Sequence, residues 1–136
     1  MICTFFGHKD CPFSIKESVK TEIRNLIEHY KVNEFYIGNQ GNFDSLCVSA
    51  LKELQTEYPF IKYSVVLAYF PKENIENSIF PEGLETVPPR FQIDKRNRWM
   101  IKNSDYVITY ITRNAGGAAK YSAIAEKSGK TIINIK

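Results

Sequence analysis

The chain has 136 residues, a net charge of +3 and 24% charged residues, which is typical of an ordinary globular protein and excludes two independent domains. No run approaches the roughly 18 apolar residues that span a bilayer, and the first residues lack the basic region of a signal peptide. The three cysteines contain no C-x-x-C pair, so we predict a cytoplasmic protein with no membrane contact, no metal site and no cofactor.

The first half of the chain alternates between strand and helix patterns. In order, the patterns predict a strand at 2–6, a helix at 14–30, a strand at 34–37, a helix at 43–54 and a strand at 63–69. The last of these strands is almost wholly apolar or aromatic, which is typical of a strand buried on both faces. Asn42 or Asp44 is positioned to cap the second helix.

The second half begins with a segment rich in proline, 71–89, which shows no sustained periodicity and is predicted to be an irregular loop. Loops of this length are usually functional or mobile. After it come a helix at 92–102, a strand at 106–111, a helix at 118–127 and a strand at 131–135. The aromatic residues of this half, among them Phe91 and Trp99, are predicted to pack in the core.

Strict alternation of strands and helices is typical of a parallel sheet covered by helices. We therefore predict an α/β fold: one Rossmann-like domain over residues 1–136, with three layers. Its centre is predicted to be a mostly parallel five-stranded sheet with helices on both faces.

Glycine turns follow three of the predicted strands, where ligands bind in such sheets. Glycine lets backbone N–H groups approach a ligand, and each following helix directs its positive dipole end towards an anion. Turn geometry alone also explains the glycines, and a solvated helix face also explains the basic cluster at 90–102. The predicted ligand-binding residues are Gly7, His8, Gly38, Asn39, Gln40, Gly41, Asp44, Arg96, Asn97, Arg113, Gly116, Gly117 and Ala118.

Two well-known phosphate-binding motifs are missing from the sequence. It contains no G-x-x-x-x-G-K-[ST] loop, and no G-x-G-x-x-G follows the first strand. A P-loop nucleotidase and a standard NAD dehydrogenase are therefore not supported.

Several short segments, in order along nearly the whole chain, match one family pattern. They are Phe6-Gly7-His8, FYIGNQGNFD at 35–44, PEGLE at 81–85, RNRWMI at 96–101, Ser104-Asp105 and Gly116-Gly117-Ala118. With these segments the chain resembles the SLOG superfamily, which includes the Smf/DprA and LOG proteins. Within it, the chain is most similar to the small bacterial YpsA-like branch of unknown function.

The resemblance implies a Rossmann-like domain that binds nucleotides or nucleotide-derived signals. SLOG relatives include ligand sensors, DNA-handling proteins and enzymes that cleave nucleoside monophosphates. The LOG enzymes carry a P-G-G-x-G-T-x-x-E motif, and alignment on Gly116-Gly117 places Ala123 at its catalytic glutamate. The resemblance therefore implies binding without phosphoribohydrolase activity, and relatives that associate imply that a homodimer can form.

The sequence favours a binding module or sensor for a nucleotide or nucleotide-derived small molecule. The first alternative is an N-glycosidase or nucleoside transferase in which His8, Asp44 or Glu82 is the catalytic group. The second is a DNA-binding protein related to DprA that uses the basic helix. Nucleic acid is the least favoured partner because the net charge is modest.

Overall fold

A computed structural model describes residues 1–135, so Lys136, the last residue of the predicted domain, lies outside the described residues. The elements, in chain order, are β1 (Ile2–Gly7), α1 (Lys16–Tyr30), β2 (Glu34–Ile37), α2 (Gly41–Glu57), β3 (Lys62–Val66), β4 (Ser78–Ile79), α3 (Pro89–Lys102), β5 (Tyr106–Tyr110), α4 (Gly117–Lys127) and β6 (Thr131–Asn134). The strands form one six-stranded sheet in the order β4-β3-β2-β1-β5-β6. Every neighbouring pair is parallel, which confirms the predicted α/β class.

The predicted number of strands was wrong, because the sheet has six strands rather than five. The additional strand is β4, which lies inside the segment predicted to be an irregular loop. It pairs with β3 through Val65 to Ser78 and Val66 to Ile79. A strand of two residues cannot show the alternation by which strands are detected in a sequence, so only its pairing with β3 reveals it.

Helices cover both faces of the sheet because consecutive strand side chains point to opposite faces. Phe5 packs in the cluster formed with α1 and α2. Phe6, the next residue, packs in the cluster formed with α3 and α4. This arrangement gives the three predicted layers, and none of the helices within residues 1–135 is long and apolar enough to cross a membrane.

Three local predictions are corrected by the helix positions. Helix α2 has Gln40 as its N-cap, rather than Asn42 or Asp44, and Asp44 instead accepts a hydrogen bond from the Gln40 N–H at 2.9 Å. Helix α3 begins at Pro89, three residues before the predicted start at residue 92. A proline can occupy this position because the first turn of a helix needs no hydrogen bond from its N–H. Phe91 is 46% exposed on that first turn, so its assignment to the core was wrong, whereas Trp99 is partly buried against the second cluster.

Candidate functional site

The strand order reverses direction between β1 and β5. Strands β1 to β4 run outward along one half of the sheet, and the chain then returns so that β5 lies on the other side of β1. At such a reversal the helices that follow the two strands lie on opposite faces and leave a crevice at the carboxyl ends of the strands. Gly7, at the end of β1, pairs with Tyr110, at the end of β5, so the two following turns are neighbours.

A pocket of about 400 Å³ opens at this crevice, within the size range of small-molecule sites. Most of the predicted ligand-binding residues line it, which brings together turns that are far apart in the sequence. They are Gly7, His8, Gly38, Gln40, Asp44, Arg96, Asn97, Arg113, Gly116, Gly117 and Ala118. The other two predicted residues, Asn39 and Gly41, do not line the pocket: Asn39 contacts Arg96, and Gly41 packs against Lys9.

Arg96 lies on the wall of the pocket with only 3% of its surface exposed. Its Nη1 donates to the Val66 carbonyl oxygen at 2.8 Å and to Asn39 Oδ1 at 3.3 Å. Its Nε donates to Asn97 Oδ1 at 2.7 Å. These bonds fix the plane of the guanidinium group, so this arginine belongs to the pocket wall rather than to the solvated helix face.

Asp44 is the acidic group of the pocket. Its Oδ2 accepts the hydrogen bond from the Gln40 N–H, which ties the carboxylate to the start of α2. Burial raises the pKa of Asp44 to about 6, although this hydrogen bond and the charges of Arg96 and Lys9 act to lower it. A carboxyl group with a pKa in this range can hold or release a proton near neutral pH.

The amino terminus of α4 forms another part of the pocket. Its N-cap, Gly116, has φ +90° and ψ −179°, a conformation that is essentially restricted to glycine. The first turn carries no acidic residue, and no side chain caps it. The leading N–H groups of the helix therefore remain available to an anion, as at other helix amino termini.

His8 lies at the end of β1 and is 4% exposed. Its Nε2 accepts a hydrogen bond from the Thr112 N–H at 3.0 Å, so a proton on the neutral ring is on Nδ1. Burial, together with the charge of Arg113, lowers the pKa of His8, although Asp10 opposes this. The neutral ring holds the β1 and β5 turns together and offers one N–H donor.

The charges around the pocket are mostly positive. Lys9, Arg96 and Arg113 line it, against one carboxylate, Asp44. Arg113 is exposed, and its Nη2 pairs with Asp10 Oδ1 at 3.1 Å. A surface pair of this kind is weak and can exchange for a ligand anion.

The pocket has further lining residues that were not predicted from the sequence, including Lys9, Ile93 and Tyr121. Helical spacing could have found two of them: Ile93 precedes Arg96 and Asn97 by about one turn, and Tyr121 follows Gly117 by one turn. The Tyr121 ring stacks on Phe6 with centroids 5.6 Å apart, and its hydroxyl donates to Asp94 Oδ1 at 2.7 Å. The pocket therefore has an aromatic wall as well as a cationic one.

The fold and the pocket together define a class: an α/β protein with a pocket, lined by cationic and aromatic side chains, at the topological switch point of its parallel sheet. No protein-family model matches the chain, and no curated protein matches it. Likeness to known proteins therefore comes from the structure.

The X-ray structure of DNA processing protein A (DprA) from Streptococcus pneumoniae is similar, with a TM-score of 0.69 and 18% sequence identity. The match covers 98% of this chain and 50% of the DprA chain. The chain thus spans about half the length of the DprA chain that it matches. At this identity the likeness shows the fold, and it says nothing of individual residues or of activity.

Proposed function

We propose that the chain binds a nucleotide or nucleotide-derived small molecule in the pocket at the carboxyl ends of its strands, as a sensor or binding module. The observation that carries the proposal is the meeting, in one pocket, of the bare amino terminus of α4 with the exposed side chain of Arg113. Backbone N–H groups at a helix terminus and arginine side chains are the usual ligands of phosphate groups. The Phe6 and Tyr121 rings add an apolar wall against which a base can pack.

We also propose that residues 1–136 form one domain of the SLOG superfamily, in its YpsA-like branch. The DprA-like fold supports the superfamily. The GNQGNFD, RNRWMI and GGA segments support the branch, and all three reach the pocket, through Gly38, Arg96-Asn97 and Gly116-Gly117.

The proposal predicts that nucleotide ligands raise the melting temperature of the protein. A ligand at about 100 times its Kd stabilises the folded state by about 2.7 kcal/mol, which corresponds to a rise of roughly 10 °C for a domain of this size. The screen should contain nucleoside mono-, di- and triphosphates, NAD, ADP-ribose and cyclic nucleotides. Arg113→Ala should weaken binding roughly tenfold to a hundredfold, because a charge-assisted hydrogen bond to phosphate is lost.

The matched control is Arg24→Ala. Arg24 also pairs with a carboxylate on the surface, Glu57 at 2.9 Å, but it lies on α1 and does not line the pocket. Its removal should leave the ligand-induced shift unchanged. If no nucleotide shifts the melting temperature, or if both variants lower the shift equally, the proposal is wrong.

Enzymatic cleavage of a nucleotide is a second candidate, and the raised pKa of Asp44 favours it. A carboxyl group that titrates near pH 6 is suited to proton transfer at a reacting centre. His8 also lines the pocket, whereas Glu82 is exposed and does not. Ala123, at the position aligned with the LOG glutamate, is also exposed and outside the pocket. Release of free base in the mixtures from the screen, abolished in Asp44→Asn, would favour the enzyme over the sensor.

Nucleic-acid binding has weaker support. Arg96 is removed from the basic face of α3 by burial, and Arg98 is paired with Asp94 at 3.0 Å. The other exposed cations of that helix are then Arg90, Lys95 and Lys102. Binding of an oligonucleotide whose affinity falls steeply with salt would be needed to favour this function.

A further inference from the structure

Two polar atoms in the pocket lack protein partners. Nη2 of Arg96 and Oδ1 of Asp44 make no hydrogen bond to any residue in the described part of the chain. Within residues 1–135, the buried side-chain atom that lacks a partner is Ser104 Oγ, at the other end of the sheet. The free atoms of Arg96 and Asp44 are thus not fully buried, and the pocket is the space that both side chains line.

These two side chains converge on Gly38. A Cβ atom placed on Gly38 would lie 2.8 Å from Asp44 Oδ2 and 3.1 Å from Arg96 Nη1, so glycine is needed for the close approach of both groups. Despite this closeness, the carboxylate and the guanidinium form no ion pair in the described residues. An acceptor and a donor thus stand near each other, and their charges attract without a direct hydrogen bond between them.

The nearness of a carboxylate and a guanidinium restricts the chemical group that can occupy this part of the pocket. A phosphate would satisfy Arg96 but would be repelled by the Asp44 carboxylate. An ammonium group would satisfy the Asp44 carboxylate but would be repelled by Arg96. A hydroxyl group both donates and accepts, so two neighbouring hydroxyls can satisfy the carboxylate and the guanidinium together.

The phosphate has a different place in the pocket. The start of α4 and Arg113 lie on the β5 side, whereas Gly38 and Asp44 follow β2 on the other side of β1. A ligand with an anionic end and a diol end therefore fits the pocket across the end of β1. In dinucleotide-binding folds, an acidic side chain near the second strand commonly binds ribose hydroxyls.

We propose that Asp44 and Arg96 bind the 2′- and 3′-hydroxyls of a ribose 5′-phosphate moiety, so that the pocket selects ribonucleotides over 2′-deoxyribonucleotides. This inference rests on the proposed function, and it names the substrate class of that site. Asp44 accepts from one hydroxyl, Arg96 donates to the other, and the base is left to the aromatic wall. Asp44 is then a specificity-determining residue.

The test is calorimetric titration of the wild-type protein with the four ribonucleoside 5′-monophosphates and their 2′-deoxy counterparts. We expect each ribonucleotide that binds to do so about tenfold to a hundredfold more tightly than its deoxy counterpart, because a hydrogen bond to a charged group is lost. In Asp44→Asn the preference should fall to about threefold or less, since the charge-assisted bond is removed.

Arg113→Ala provides the control, because it should weaken the ribo and deoxy forms equally and leave their ratio unchanged. Equal affinities in the wild type would overturn the inference and leave the proposed function standing. A preference that survives in Asp44→Asn would overturn the role of Asp44. If none of the eight nucleotides binds, the inference fails, and if the wider screen is also negative, the proposed function fails with it.

Discussion

Gly7→Ala should destabilise the protein by about 2–3 kcal/mol, which lowers the melting temperature by roughly 10 °C. Gly7 ends the central strand β1, and an added Cβ would lie 2.6 Å from Cδ1 of Phe43 and still closer to two other ring atoms. Phe43 is 1% exposed in the main core cluster, so its ring has no free space to enter. Thermal and chemical denaturation of the purified variant measure the loss directly.

Two variants test whether the clash is the cause. Gly117→Ala places a methyl group in the same pocket, but 4.0 Å from Tyr121 Cε2, so its stability should stay within about 0.5 kcal/mol of the wild type. Phe43→Leu removes the ring, so the double variant Gly7→Ala/Phe43→Leu should lose less stability than the two single losses added together. Strict additivity would show that contact with Phe43 is not the source of the loss.

The general architecture was predictable because alternation of strands and helices is visible in local sequence. In a parallel sheet every strand ends at the same edge, so the turns after β1, β2 and β5 had to meet, and the pocket followed from their glycines. What local sequence does not contain is pairing between distant segments. Strand β4 depends on β3, and the exposure of Phe91 depends on which face of α3 meets the sheet.

The same limit applies to the site. The sequence shows a cluster of cations between Arg90 and Lys102, and a solvated helix face explains such a cluster well. The rotation of α3 turns Arg96 inward to the Val66 carbonyl, while Lys95 and Arg98 stay exposed. Helical spacing predicts that Arg96 lies on a different face of α3 from Lys95 and Arg98. Only the packing of α3 against the sheet shows which of these faces is buried.

Asp44→Asn should raise the stability of the protein at pH 7.5 and leave it nearly unchanged at pH 4. The pKa of Asp44 lies at about 6 in the folded protein, against an ordinary value of 3.8. Because the folded pKa is the higher one, the folded state holds the proton more tightly than the unfolded chain. This stabilisation is fully present below about pH 4 and is lost as the pH rises through 6. The difference between the two pKa values corresponds to about 3 kcal/mol, the largest gain that the variant can show.

Denaturation curves of the wild type and the variant at several pH values between 4 and 7.5 measure this difference. Asp94→Asn is the control of opposite sign, because hydrogen bonds from Tyr121 and Arg98 outweigh burial and lower the pKa of Asp94. That variant should lose stability at pH 7.5 and lose less at pH 4. An Asp44→Asn effect that does not change with pH would show that the carboxyl group is not destabilised by burial.

A gain in stability on removal of the Asp44 charge would bear directly on function. Asparagine can still accept the hydrogen bond from the Gln40 N–H, and it has nearly the same size as aspartate. The variant therefore keeps the local packing and this hydrogen bond and loses only the charge. A partly buried carboxylate that costs stability is typical of a group that acts on a ligand, since binding sites often reduce the stability of the fold. If Asp44→Asn is more stable and also loses the preference for ribonucleotides, one side chain accounts for both effects. If the variant is more stable and retains that preference, the result favours the enzymatic alternative, in which the Asp44 carboxylate transfers a proton.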